Sequence, residues 1–252
     1  NLPKKKNTLN VDQDARSNLV LEKARIIKEL KPKAFVFENV QSITHPKNKK
    51  FLEAFVDIVE TVGYKTSEFQ LSSEVFGVAQ KRKRVFVVGH LERKIRSPIE
   101  THSEENSMFL KPIVSCGKVI SPFKAKKYFE KEEVLSGRWA EYFSDIPAGK
   151  NYKALSAWAG YPKPIFEAET RFWNFLLKLH PEKPSWTIAA NPGPWIGPFH
   201  WENRRLRIPE MAAIQSFPKD YKFAGNRRSK VRQIGNAVPP LMAKAVVETI
   251  TT

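Results

Sequence analysis

Cysteine is nearly absent from the sequence, which contains only Cys116 in 252 residues. A single thiol excludes an internal disulfide framework and is typical of a protein from a reducing cytosol. The five histidines are scattered, without a Cys or His pair at metal-ligand spacing, so no metal site is predicted. Long apolar runs are also lacking: none approaches the roughly 20 residues of a membrane-spanning helix, so no membrane partner is expected.

Acidic residues are scarce relative to basic ones. Lys and Arg number 43 against 26 Asp and Glu, which gives a formal net charge of +17. Such an excess favours a polyanionic partner, because each Lys or Arg that lies on a phosphate releases condensed counterions. The composition therefore indicates contact with nucleic acid.

Hydrophobic spacing in the first ninety residues predicts alternating helices and strands. The first element is a helix capped by Asp12 or Asp14, with Val20, Ala24 and Ile27 on one face. It is followed by a strand over 34–37, a helix over 51–62, a strand near 67–71 and a strand from Val85. The run at 34–37 is apolar on both faces, as in a parallel sheet. This order is the signature of an α/β fold.

The character of the chain changes in its middle part, which contains most of the 18 prolines and all six tryptophans. Regular periodicity fades there, and it returns with a helix near 208–217 and a last helix beginning at Pro239 or Pro240. We therefore predict three segments. Residues 1–91 form part of an α/β domain, 92–203 form a smaller, loop-rich domain, and 204–252 pack back on the first sheet.

Charged side chains adjoin two of the predicted strands. The run "AFVFENV" ends in Glu38 and Asn39, and ligands of open α/β sheets bind beyond the carboxyl ends of strands, although a solvated loop explains a lone Glu equally well. In "QKRKR", the side chains of Gln80, Arg82 and Arg84 would project from one face of a strand that begins early. An unpaired charge there would be costly, and Glu38 is a natural partner for such an arginine.

Three further segments allow two interpretations each. In "QIGNAVPP", Gly235 and Asn236 suit a tight turn close to a ligand, or merely a turn and a helix cap. The stretch "NRRSKVR" at 226–232 is either a phosphate contact or a solvated loop. The aromatic segment 191–201 could stack on bases, but packing of its own aromatic rings is the favoured interpretation.

Taken in order, four motifs resemble those of the DNA cytosine-5 methyltransferases, and the resemblance extends from the first helix to the C-terminus. They are "FENV", "QKRKR", "RLRIPEMAAIQSFP" and "QIGNAVPP", with Ser216 where the family usually has glycine. The resemblance implies part of the Rossmann-like sheet of an S-adenosylmethionine-dependent methyltransferase. The middle segment then corresponds to a target recognition domain that reads base edges in the major groove.

The activity implied is methylation of C5 of a flipped-out cytosine in a specific short sequence of double-stranded DNA. By resemblance, Glu38 is the acid beside N3 of the base, Arg84 contacts the base O2 and orients Glu38, and Arg82 works alongside near the base or its backbone. The cofactor S-adenosylmethionine would contact Asn236, with Ala237 and Val238. The residues expected to bind DNA are Gln80, Arg204, Arg205, Arg227 and Arg228.

Two hallmarks of the family are missing from the sequence, which has no Gly-x-Gly and no Pro-Cys dipeptide. Cys116 follows a serine in the recognition segment and is not expected to be the nucleophile. The chain therefore resembles the rear part of such an enzyme, either an excised piece or a subunit whose companion carries the missing motifs. A bacterial, cytoplasmic, nucleoid-associated protein of a restriction-modification system is implied. A non-catalytic DNA-binding module and a transfer-RNA methyltransferase remain as alternatives.

Overall fold

In the computed structural model, residues 15–105, 107–166 and 172–251 are described, so the cap predicted at Asp12 or Asp14 lies outside them. The chain divides into two compact units. Of the described residues, unit 1 contains those up to Ser72, Lys83–Ile99 and those from Ala245 onward, and unit 2 contains Ser73–Arg82 and those between 100 and 244. Within the described ranges, every helix is too short or too polar to cross a bilayer.

Unit 1 is built on a sheet of strands β1 (Ala34–Val40), β2 (Lys65–Ser72) and β3 (Lys83–His90). Among the described residues the strand order is β1-β3-β2, and β3 is antiparallel to both neighbours. The prediction that β1 lies beside a parallel strand is therefore wrong. β1 and β2 do run in the same direction, but β3 lies between them, and an apolar run reports burial rather than the direction of the adjacent strand.

Two helices cover one face of this sheet: α1 (Ala15–Leu30) and α2 (Pro46–Glu60). The face of α1 that was predicted to be apolar is buried. It joins a core to which β1 contributes Phe35 and Phe37 and α2 contributes Phe55. The ring of Phe37 stacks on that of Phe55 with centroids 4.5 Å apart. Because this core fixes β1, it also fixes the polar residues at the end of that strand.

Unit 2 contains few regular elements and many short turns. Its helices are α3 (Cys116–Ile120), α4 (Ile208–Ile214), α5 (Arg227–Asn236) and the start of α6 (Pro240–Thr251), and the two-residue strands β4 (His102–Ser103) and β5 (Lys111–Pro112) pair in parallel. One apolar cluster joins α3, α4 and α5. Residues 204–244 thus belong to the same unit as the loop-rich segment, which differs from the three-segment prediction.

The closing motif is helical at Gly235 and Asn236, where the sequence predicted a tight turn. A Cβ atom added to Gly235 would lie 2.4 Å from Cα and 2.5 Å from the backbone N of Ala190. Gly235 therefore approaches the backbone of Ala190 closely, which accounts for the need for glycine at this position. The helix was missed because "NRRSKVR" is so polar that only Val231, Ile234 and Gly235 of α5 are buried.

We expect Gly235→Ala to destabilise the protein by about 3 kcal/mol, since a methyl group would have to displace main-chain atoms. The matched control is Gly193→Ala, whose added Cβ would meet only Cγ1 of Ile196 at 3.4 Å. Urea unfolding monitored by circular dichroism measures both. Equal unfolding midpoints for the two variants would show that α5 can move away from Ala190 at no cost.

Candidate active site

A carboxylate and an arginine meet near the carboxyl end of β1. Glu38 lies opposite Phe86 and Arg84 lies opposite Val40, so the two side chains are diagonal neighbours on one face of the sheet. Nε of Arg84 donates to Oε1 of Glu38 at 2.8 Å, and the two side chains remain 12% and 29% exposed. The predicted pairing of Glu38 with an arginine of "QKRKR" is confirmed.

The contacts of this pair hold the two side chains in a fixed arrangement. Burial lowers the pKa of Arg84, while the charge of Glu38 and its hydrogen bond oppose that shift. A guanidinium has so high a pKa that it stays protonated, and charge-assisted bonds of this kind are the strong ones. Oδ1 of Asn39 accepts from the backbone N of Val40 at 2.8 Å, at the point where the strand ends. The carboxylate is thus held in position with one side open.

Lys23 of α1 also lies near the strand end and was not predicted. Its Nζ donates to the carbonyl oxygen of Val36 at 3.0 Å and stands 5.2 Å from the centroid of the Phe37 ring. Burial lowers the pKa of Lys23, and the charge of Glu38 opposes that effect. In the sequence, the feature that could have indicated this role is the position of Lys23, one residue before Ala24 and at the margin of the apolar face of the helix.

Gln80 and Arg82 do not share a strand face with Arg84, because β3 begins only at Lys83. Both side chains are buried in unit 2. Oε1 of Gln80 accepts from the backbone N of Ile188 at 2.9 Å, and Nη2 of Arg82 donates to the carbonyl oxygen of Gly235 at 2.8 Å. The predicted common face is therefore wrong. Gln80 offers no exposed surface to DNA, and Arg82 ties its motif to the closing motif.

Arg204, another predicted DNA contact, is buried in an ion pair. Its Nη1 and Nη2 donate to the two carboxylate oxygens of Glu210 at 2.8 and 2.7 Å. Glu210 also accepts from the backbone N of Arg207 at 2.8 Å and so caps α4. Arg207 in turn pairs with buried Glu133. This geometry corrects the assignment of Arg204: a bidentate carboxylate inside the protein occupies its guanidinium.

The other three predicted DNA contacts lie together. Arg205, Arg227 and Arg228 line one cavity of about 410 Å³ that also includes the segment 190–194. Nη2 of Arg205 donates to the carbonyl oxygen of Pro194 at 2.9 Å, Arg227 pairs with Glu130, and Arg228 is exposed. The fold thus brings together three arginines that were each expected to bind DNA, and their contact with DNA stays a prediction.

The predicted cofactor residues follow one another at the end of α5. The backbone N of Ala237 donates to the carbonyl oxygens of Gln233 and Ile234, which ends the helix, and Asn236 is exposed. Ala237 and Val238 are partly exposed. Their contact with the cofactor stays a prediction.

Cys116 has the surroundings of a structural thiol. It is buried, its Sγ donates to the carbonyl oxygen of His180 at 3.2 Å, and burial raises its pKa to about 12. A cysteine nucleophile needs the thiolate, which these surroundings disfavour.

Solved structures similar to this chain are methyltransferases. An E. coli prophage-encoded protein assigned as a DNA modification methyltransferase matches with a TM-score of 0.67 at 17% identity, over 94% of this chain and 74% of that one. A Dnmt2 variant from Spodoptera frugiperda matches with a TM-score of 0.56 at 14% identity, over 100% of this chain and 76% of that one. This chain therefore has the fold that these methyltransferases share.

A sequence profile described as C-5 cytosine-specific DNA methylase matches residues 7–252, and the chain belongs to this family. The Type II methyltransferase M.SacI of Streptomyces achromogenes is 36% identical over 94% of this chain and 64% of its own length. M.NgoFVII of Neisseria gonorrhoeae is 32% identical over 89% of this chain and 60% of its own. The chain thus spans less than two thirds of the length of these curated relatives, and the resemblance seen in the four motifs is confirmed.

Proposed function

We propose that this chain provides the base-binding carboxylate, the DNA-contacting surface and one side of the cofactor site for methylation of C5 of cytosine in DNA. The target is a flipped-out cytosine within a specific short duplex sequence. The observation that carries this proposal is the Glu38–Arg84 pair, a carboxylate fixed by a charge-assisted bond at a strand end and still open on one side.

The chemistry gives this carboxylate a definite task. C5 of cytosine is a poor nucleophile until a thiolate adds to C6, and that addition develops negative charge at N3. Glu38 beside N3 and the exocyclic amine would recognise cytosine and, in its protonated form, would give its proton to N3 as the thiolate adds, which neutralises this charge. Arg84 would keep the carboxylate in place and reach the base O2. Asn236, with Ala237 and Val238, would contact S-adenosylmethionine, which supplies the methyl group when bound. Transfer of the C5 proton to a base or to water and release of the thiolate would then restore the ring.

The surface that would meet DNA includes the cavity lined by Arg205, Arg227 and Arg228. The three arginines of this cavity, together with the net charge of +17, support binding to phosphates. The family description, C-5 cytosine-specific DNA methylase, supports DNA as the substrate over transfer RNA. The proposal includes no companion subunit, for which the relatives give no support.

A second function is a DNA-binding module without catalysis. The observation in its favour is the state of Cys116, which is buried and has a raised pKa, in a sequence that has no Pro-Cys dipeptide. Against it stands the intact Glu38–Arg84 pair, because a module that only binds DNA has no use for an acid at N3.

Transfer of a labelled methyl group from S-adenosylmethionine to duplex DNA tests the proposal. The chain is assayed alone and joined to a segment that carries the glycine-rich and Pro-Cys motifs of the family, and that segment alone is the control. Activity only in the joined protein is the expected result. Activity of the chain alone would overturn the account of Cys116, and inactivity of the joined protein with salt-sensitive DNA binding would favour the module.

A further inference from the structure

Two tryptophans of unit 2 form an exposed pair. The rings of Trp173 and Trp186 meet edge to face with centroids 4.7 Å apart, and the residues are 47% and 43% exposed. Other tryptophans of this unit pack inward: Trp139 contacts Phe166, and Trp195 contacts Phe199. Adjoining indoles left in solvent form an apolar patch that packing does not explain, and such patches mark binding sites.

The backbone on both sides of Trp186 is anchored to the "QKRKR" segment. The backbone N of Ser185 donates to the carbonyl oxygen of Ala79 at 2.8 Å, and the backbone N of Lys81 donates to that of Ser185 at 2.7 Å. Oγ1 of Thr187 donates to the carbonyl oxygen of Lys81 at 2.9 Å. An indole held on so fixed a backbone loses little conformational entropy when a partner binds.

Lysines lie next to Trp186, one member of the tryptophan pair. A cleft of about 700 Å³ is lined by Lys81, Lys150, Lys183 and Trp186 together with a single carboxylate, that of Glu104. Lys81 pairs with Glu104 across the surface, which leaves the excess positive charge to Lys150 and Lys183. Aromatic rings next to cations match a nucleotide, because its base or sugar offers an apolar face and its phosphate a negative charge.

We propose that Trp173 and Trp186 contact the apolar face of a nucleotide in bound DNA, while Lys150 and Lys183 contact its phosphates. The inference rests on the proposed function, in that it requires the chain to bind DNA. DNA is the occupant that the charge favours, because the cationic cleft lies in a chain of net charge +17. The aromatic segment 191–201 was considered for stacking in the sequence, but its rings pack inward, as Phe199 does against Phe143.

Equilibrium binding to a short DNA duplex, measured over a series of salt concentrations, separates the two kinds of contact. Trp186→Ala is expected to weaken binding about tenfold at every salt concentration without changing the slope of log Kd against log salt. Lys150→Gln is expected to make that slope less steep, by the amount that one phosphate contact contributes. Trp158→Ala is the matched control, because Trp158 is 86% exposed and has no tryptophan beside it among the described residues.

Substitution by phenylalanine distinguishes a contact from a folding defect. Trp186→Phe should recover most of the lost affinity, whereas Trp186→Leu should not, and all variants should unfold at similar urea concentrations. Unchanged DNA affinity in both Trp186→Ala and Trp173→Ala would overturn the inference and leave the patch to a protein partner. A wild-type chain that does not bind DNA would instead contradict the proposed function.

Discussion

Glu38→Gln is expected to lower the rate of methyl transfer by a factor of about 10² or more and to leave the Kd for DNA within about twofold. The amide has nearly the same shape as the carboxylate but cannot supply a proton to N3 of cytosine. It also removes the negative charge that faces Nε of Arg84 at 2.8 Å. Affinity should survive because the residues proposed to contact phosphates, Arg205, Arg227 and Arg228, are unchanged.

The measurement is a single-turnover methyl transfer by the joined protein, with DNA binding determined on the same preparation. Glu68→Gln is the matched control, since Glu68 is an exposed carboxylate on β2 of the same sheet. A Glu38→Gln rate equal to that of Glu68→Gln would remove the acid role from Glu38. A parallel loss of DNA affinity would instead make it a binding residue.

Glu210→Ala is expected to produce the largest loss of stability, about 3–5 kcal/mol, because it leaves the buried guanidinium of Arg204 without its partner. It also removes the acceptor that caps α4 at the backbone N of Arg207. The free energy of unfolding in urea is the observable. The effect should be partly reversed by the second change Arg204→Met, because an apolar side chain no longer requires a buried carboxylate.

The control for Glu210→Ala is Glu202→Ala, because Glu202 also lies near the guanidinium of Arg204. Oε2 of Glu202 lies 3.7 Å from Nε of Arg204, but the Glu202 side chain is 51% exposed. Exposed ion pairs contribute about 0–1 kcal/mol, so Glu202→Ala should be nearly neutral. Comparable losses for Glu202→Ala and Glu210→Ala would show that the buried pair contributes no more than a surface pair does.

Local features of the fold were predictable because short-range patterns determine them. The buried face of α1, the strand that carries Glu38 near its carboxyl end and the helix that begins at Pro240 all follow from spacing and from proline. The pairing of Glu38 with Arg84 was also predictable, since a charge that enters an apolar strand needs a partner. The direction of β3 was not, because burial is the same beside parallel and antiparallel neighbours.

The roles of individual motif residues were harder to predict. A motif shows that a side chain is needed, but it does not show whether that side chain faces a ligand or the interior. Arg82 and Arg204 are buried, with a carbonyl and a carboxylate as partners, whereas Arg228 faces solvent. These partners lie 153 residues away for Arg82 and six for Arg204, and no spacing rule identifies either one.

The buried thiol has a practical consequence. Since Cys116 is the one cysteine in the sequence and lies under the carbonyl oxygen of His180, the folded chain should behave toward alkylating reagents as if it contained none. Any cysteine placed on the surface, for example by Trp158→Cys, would then be a unique attachment point for a fluorophore. Distances between that dye and labelled DNA would report motions of the chain during binding. Cys116 would not first have to be replaced.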